Sequence, residues 1–566
     1  MENCTFINNS ANKGGAILWN GSNGSITNST FINNSASNFG GGIYMESDNN
    51  TITDCSFTTN MADKNNGGGI CWVGNNNIIL NCNFIGNFAN MFGGGAAGSG
   101  LNNTLIHSNF INNKVNLSVG SVGGGICIWG DNFTLATCIF NGNMAIRGGG
   151  VYWDGGGNCN LTNCNFTDNH ATYGVNIYWY WTVNEFLDNY NQINDYDYVF
   201  IANGIGTPSR TIILNKKGIT IHGQNTNTIF DAKGGNLHFE VTGDNILIEN
   251  LSFRNFNFTG MGGAIQWIGN NGTLKNCNFN NNTAMIHGGA VRWEGSNGTI
   301  SDSTFIGNAA NNGNGGGVCW GGTSLNGVLT DSTFINNTAK GGTGLGCGGG
   351  VCWASSNGIL LDSTFIGNSA DDNGGGVCWF AVNGVLITST FNSNSAINGG
   401  GVCWWYSGTL IDSIFNNNIA SSGGSIFWNN AAGNNTCSLT NCHFNSKWDK
   451  TNGIYARGNL TINGGKGIAD LVIGGTLTGT SIVVLNNETY YYPPNSNINF
   501  KDYFFLFGYN FFVNFVIIWF KPNKTDISRK SRLHKSNTTN DSRYTNNRHR
   551  KKRKIFGGDT NEITGN

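Results

Sequence analysis

A single phrase, Phe-x-x-Asn followed by a short gap and then Gly-Gly-(Gly/Ala)-(Ile/Val)-x-Trp, recurs along most of this chain and limits its fold more than any other feature. The phenylalanines stand at Phe6, Phe31, Phe57, Phe84, Phe110, Phe140 and Phe166 and, after a break, at Phe279, Phe305, Phe334, Phe365, Phe391, Phe415 and Phe444. Within each run the interval is 24 to 31 residues. Thirteen of the fourteen have asparagine three places on, and only Phe444 has Lys447 instead. Self-similarity at this period marks an architecture of stacked units, each too small to bury a core alone.

The period selects among such architectures. Segments such as Gly298-Thr299-Ile300-Ser301-Asp302-Ser303-Thr304-Phe305 alternate apolar and polar residues, which predicts strand, and no helical stripe of useful length appears. Leucine-rich repeats lack their leucines here, and propeller blades need about 40 residues or more. One coil of a parallel β-helix fits, with three strands of about 4–6 residues each rising roughly 3.3 Å per residue. Like residues then stack about 4.8 Å apart. Phenylalanine would form an interior aromatic ladder, and asparagine a ladder of amides inside a turn. The alanines at Ala36, Ala62, Ala89, Ala284, Ala310 and Ala339, among others, would leave room for a bend.

Composition agrees. With 86 glycines, 4 prolines and only 11% charged residues, against about 25% in ordinary soluble proteins, the surface must be polar without being ionic. Asparagine, serine and threonine supply that polarity and suit tight turns.

Candidate chemistry is sparse. Asp302, Asp331, Asp362 and Asp412 recur three residues before Phe, but Asn28, Asn81, Asn163, Asn276 and Asn441 share that register, which reads as a turn position rather than a catalytic acid. Stacked carboxylates make calcium the one candidate ion; otherwise no catalytic, cofactor or metal residue is assigned. Length varies most between the alanine and the glycine run, where Lys340 to Cys347 form the longest insertion, and such loops carry recognition in solenoids. The sixteen cysteines follow the repeat: Cys71, Cys127, Cys319, Cys352, Cys378 and Cys403 lie beside Trp in the glycine strand, and Cys4, Cys55, Cys82, Cys138, Cys164, Cys277 and Cys442 lie two before Phe. Free-thiol ladders are expected. In-register parallel geometry disfavours disulfides, and no Cys-x-x-Cys or histidine spacing suggests zinc. More than twenty Asn-x-Ser/Thr sequons, Asn271 and Asn336 among them, are open to glycosylation if the chain is exported.

The pairing of Phe6-Ile7-Asn8-Asn9 with Gly14-Gly15-Ala16-Ile17, seen again as Gly262-Gly263-Ala264-Ile265, resembles the repeats of chlamydial polymorphic membrane proteins. The asparagine-rich wording is also similar to the adhesin-like, Asn/Thr-rich surface proteins of gut methanogenic archaea. The resemblance covers about residues 1 to 490. It implies an extracellular, right-handed, pectate-lyase-like β-helix used in attachment to glycans, host or other cells. A β-helical polysaccharide lyase or hydrolase is the alternative, and would show one coil with a unique carboxylate and base cluster in a groove.

The expected organisation is a first array over 1–180, a cap and plain-strand opening over 181–250 and a second array over 251–490. Glu185 to Asp195 would form a small helical cap. Residues 503–520 are apolar and just long enough to span a bilayer, and 521–566 form a basic tail. Residues 1–520 carry a net charge of -10 and residues 521–566 of +9, and positive charge after the span would place the tail on the cytoplasmic side and the repeats outside. A cytoplasmic anchor charge is a simpler reading of Arg548 to Lys554 than nucleic-acid binding. Met1 falls within a coil, because Asn3-Cys4-Thr5-Phe6 occupies the register of Asn163-Cys164-Asn165-Phe166, which predicts a fragment or a misplaced start.

Overall fold

The computed structural model describes residues 1–492 apart from 119, 156–159, 322–323, 343, 430–435, 446–452, 458, 465–471, 475–480 and 486–487. The apolar run 503–520 and the basic tail 521–566 lie outside the described residues. The rest is an all-β solenoid of about 17 turns, with strands pairing in parallel from coil to coil.

Most coils of the repeat contribute four short strands where three were expected, and a few, such as that from Ile126–Trp129 to Ile139–Asn141, contribute three. The predicted strand Gly298 to Phe305 is two, Thr299–Ser301 and Thr304–Ile306, with Asp302 between them at φ 53°. That left-handed residue turns the chain and resets the alternation, so Ile300, Ser303 and Phe305 all face inward. Asn and Asp tolerate this conformation better than other non-glycine residues. The same register holds Asn28 (47°), Asn81 (53°), Asn276 (48°), Asp331 (50°) and Asp362 (43°), which explains why the two residue types interchange there.

The interior is built from ladders. Phenylalanine rings stack from Phe6 to Phe166 with centroids 4.6–5.0 Å apart. A second stack runs from Phe253 to Phe444 at 4.6–5.2 Å. It opens one coil earlier than the motif predicts, because Phe253 is followed three places on by Phe256 and not by asparagine. Tryptophans stack beside it from Trp267 through Trp293, Trp320, Trp353, Trp379 and Trp404 to Trp428. Glycine on the neighbouring face makes room for each indole: a Cβ on Gly298, Gly358 or Gly384 would lie 2.2–2.3 Å from its ring. The buried asparagines form the predicted amide ladder, as in Asn282 to Asn308, Asn308 to Asn337 and Asn337 to Asn368, each Nδ2 donating to the Oδ1 of the next coil. A second such ladder, Asn50, Asn77 and Asn103, runs inside the first array. The repeat alanines are buried in two- to five-residue strands, Ala36 beside Ala62 and Ala310 beside Ala339, rather than serving as bends.

One sheet of twenty strands runs through the break between the arrays while the others stop there. In the first array this sheet carries the tryptophan strands, ending at Ile177–Trp181. It continues through Tyr198–Ile201, Thr220–Gly223 and Leu247–Glu249, and from Thr273–Lys275 onward it carries the Gly-Thr-Leu strands instead. The repeat therefore changes face at the join without losing its backbone ladder. The sheet ends in an antiparallel pair, Ser481–Leu485 with Glu488–Tyr492, where the sequence predicts parallel coils throughout.

Helix α1 (Val183–Asn189) and the 3-10 turn Tyr190–Gln192 occupy the predicted cap. Thr182 and Glu185 form a capping box, satisfying two otherwise unpaired N-terminal donors. Val183, Phe186 and Leu187 are buried, with the Phe186 ring 5.4 Å from Phe230 and 6.4 Å from Phe239. The helix thus covers apolar surface at the first coils of the second array.

Candidate functional site

The repeated aspartates lie at one turn position of the coil. Asp302, Asp331, Asp362 and Asp412 are exposed at the left-handed turn, and the four described ion pairs involve none of them. Among the described residues no three His, Cys, Asp or Glu side chains converge to enclose an ion.

The insertion Lys340 to Cys347 lies down on the next coil. Gly341 donates its N–H to Asp371 at 3.1 Å, Gly344 donates to Asp372 at 2.8 Å, and Cys347 donates to Asn314 Oδ1 at 3.0 Å. Cys347 is fully buried by this arrangement.

A groove of about 560 Å³ opens on the first coils of the second array, lined by Lys233, Gly234, Asn255, Phe256, Asn257, Asn281, Thr283 and Asn311. At its end Asp231 accepts from Arg254 Nε at 2.9 Å, from Asn255 Nδ2 at 2.9 Å and from the Lys233 N–H at 3.0 Å. Burial opposes the charge on Asp231, but these donors outweigh it and hold the carboxyl below its ordinary range. Lys233 itself takes a left-handed backbone, φ 50°, unusual for a long side chain. It is exposed and has no ion-pair partner among the described residues. One free ammonium therefore stands at the end of a row of neutral amides and a hydroxyl. Sequence reasoning missed this site because Asp231 and Lys233 lie in the plain-strand region and Arg254 just past its end, in a coil without the Phe-x-x-Asn phrase. The available signal was Asp231 and Arg254 set 23 residues apart, one coil, in a chain poor in cations.

All fifteen described cysteines are free thiols. Those two before Phe lie in line with Ser29, Ser108, Ser303 and Ser332, and Cys82 and Cys277 donate from sulfur to coil carbonyls. Their backbone N–H groups donate to the serine hydroxyl of the next coil, Cys82 to Ser108 and Cys277 to Ser303. The thiols beside Trp face outward, Cys319, Cys352, Cys378 and Cys403 in consecutive coils, and burial pushes Cys71 up to about 12 in the first array.

These geometries stand beside a sequence match. Residues 3–18, 28–46 and 362–378 match the Chlamydia polymorphic membrane protein repeat. No curated protein sequence matches the chain. Similar solved structures include an alginate lyase from Paenibacillus sp. str. FPU-7, at 13% identity over 51% of this chain and 94% of that one, with a TM-score of 0.32. A mannuronic acid specific polysaccharide family 6 lyase from human gut microbiota is 12% identical over 52% of this chain and 83% of that one, with a TM-score of 0.33. Likenesses this slight carry no argument about function. No helix among the described residues is long and apolar enough to cross a membrane.

Proposed function

We propose that this chain is a non-catalytic, adhesin-like protein displayed at the cell surface, where it attaches to glycans of host or other cells. The observation that carries the reading is the groove, in which Asn255, Asn257, Asn281 and Thr283 offer neutral donors and acceptors beside the single ammonium of Lys233. Amides and hydroxyls on adjacent coils suit the hydroxyls of a sugar chain, and the ammonium favours one bearing a carboxylate. Three matches to a repeat of polymorphic membrane proteins support surface display.

The test is binding of the purified chain to a panel of neutral and uronate-containing oligosaccharides. Lys233→Ala should weaken binding of an acidic glycan about tenfold, a loss of about 1.4 kcal/mol, while deletion of Gly341 to Gly346 leaves it unchanged. Equal binding by the Lys233 variant would move recognition away from the groove.

The presence of Asp231, Lys233 and Arg254 at one groove gives the lyase reading a specific footing. Against it, Asp231 already accepts three hydrogen bonds and is in no position to take a proton from a substrate. Release of unsaturated sugar from a uronate polysaccharide, lost in Lys233→Ala, would establish the enzyme instead.

A further inference from the structure

The outward thiols of the second array form a feature that attachment to glycans does not use. Cys319, Cys352, Cys378 and Cys403 are cross-strand neighbours in successive coils, and each is at most 2% exposed. Arg292 precedes them in the same register, with Nη1 3.0 Å from the Cys319 sulfur and Nε 3.1 Å from Glu294. We propose that Cys319 and Cys352 form a two-coordinate site for a monovalent thiophilic cation of the copper(I) or silver(I) class.

Spacing is the first argument. A disulfide needs Cβ atoms about 3.5–4.5 Å apart, closer than the ~4.8 Å that separates in-register parallel side chains, so the stacked pair is poorly disposed to form one. Two metal–thiolate bonds, each near the roughly 2.3 Å of a zinc–thiolate bond, laid end to end span ~4.6 Å, close to the coil interval of ~4.8 Å. The side chains stand off the sheet, so an ion between the sulfurs, on the line of the rod axis, meets each from the side, where the thiolate lone pairs lie. Soft thiolates select such cations over hard ones. With no third ligand converging among the described residues, the row does not offer the four ligands of structural zinc.

Charge is the second. One monovalent cation and two thiolates leave a net charge of -1, and the Arg292 guanidinium is positioned to balance it. Glu294 holds the Nε edge of that guanidinium but keeps 30% of its side chain in solvent. Binding breaks the two S–H bonds, forms two metal–sulfur bonds, releases the protons to solvent and moves no electron. The inward pairs Cys55 with Cys82 and Cys138 with Cys164 are also one coil apart, but donate to backbone carbonyls and have no cation hydrogen-bonded to sulfur among the described residues. Cys378 with Cys403 likewise lacks an adjacent guanidinium.

The experiment is anaerobic titration of the fully reduced chain with copper(I) delivered as its bicinchoninate complex, reading chelator competition. One tight equivalent is expected. Cys319→Ser and Cys352→Ser should each weaken it about 100-fold, and Arg292→Gln about 10-fold. Cys82→Ser, at a register where other coils already hold serine, should leave it unchanged. X-ray absorption on the copper-loaded wild-type chain should find two sulfur neighbours, a reading that holds even if a serine variant fails to fold. No uptake by the reduced wild type, unchanged affinity in both serine variants, or a copper with three or more ligands would overturn the proposal.

Discussion

Asn308→Ala is expected to destabilise the second array by about 4–6 kcal/mol, an unusually large effect for one truncated amide. Asn308 Oδ1 accepts from the Asn282 N–H at 2.9 Å and from Asn282 Nδ2 at 3.0 Å. Its Nδ2 donates to Phe279 O at 3.0 Å and to Asn337 Oδ1 at 2.9 Å. All four hydrogen-bonding sites of the amide are filled, with none of it exposed. Removing it strands two donors of Asn282 and a carbonyl in the interior, at about 1–3 kcal/mol each. Because coils of a solenoid stabilise mainly their neighbours, the loss should appear in hydrogen exchange around residues 279–340 before it appears elsewhere. Asn312→Ala, at an exposed turn, should stay within about 0.5 kcal/mol of the parent. If the two variants proved equal, the asparagine ladder would be a decoration of the turn and not a support of it.

The second large effect is with pH. Asp197 is buried at the join, where its Oδ2 accepts from Trp179 Nε1 at 2.9 Å and from the Asn194 N–H at 2.9 Å, and its Oδ1 has no partner among the described residues. Burial outweighs these bonds and pushes the carboxyl up to about 8 from 3.8. A folded-state value above the unfolded one means the stability contribution is complete below the unfolded value and is lost as pH rises to the folded value. Between pH 3.8 and about 8 the unfolded chain ionises first, at about 1.4 kcal/mol per unit of difference. Stability of the join should therefore fall by several kcal/mol across that window and level off above it. Asp197→Asn keeps an acceptor for Trp179 and Asn194 and cannot ionise, so its unfolding profile should be flatter over the same range. A parent and variant with parallel profiles would show that Asp197 ionises freely in the folded chain.

What the sequence made legible was whatever repeats. The phenylalanine and asparagine ladders follow from one side chain recurring once per coil, and their stacking needs no further information. The four-strand coil was hidden because Asp302 and its counterparts interrupt strands with a backbone dihedral, which an apolar–polar alternation does not record. The exchange of faces at the join was hidden for a different reason. Strands Tyr198–Ile201 to Leu247–Glu249 carry no glycine run or tryptophan, so local pattern does not say which sheet they extend. The same lack of landmarks concealed the groove: Asp231 and Arg254 meet only because one coil separates them. The aspartates that did repeat turned out to serve the turn, since recurrence in every coil is the signature of a structural position and function lies in what departs from it.

The central claim, a displayed attachment rod, is tested most directly on cells that make this protein, probed intact with an antibody raised against residues 280–420 and again after mild protease. The account predicts a surface signal on intact cells that shaving removes. A signal seen only after the cells are permeabilised, and untouched by protease, would contradict it.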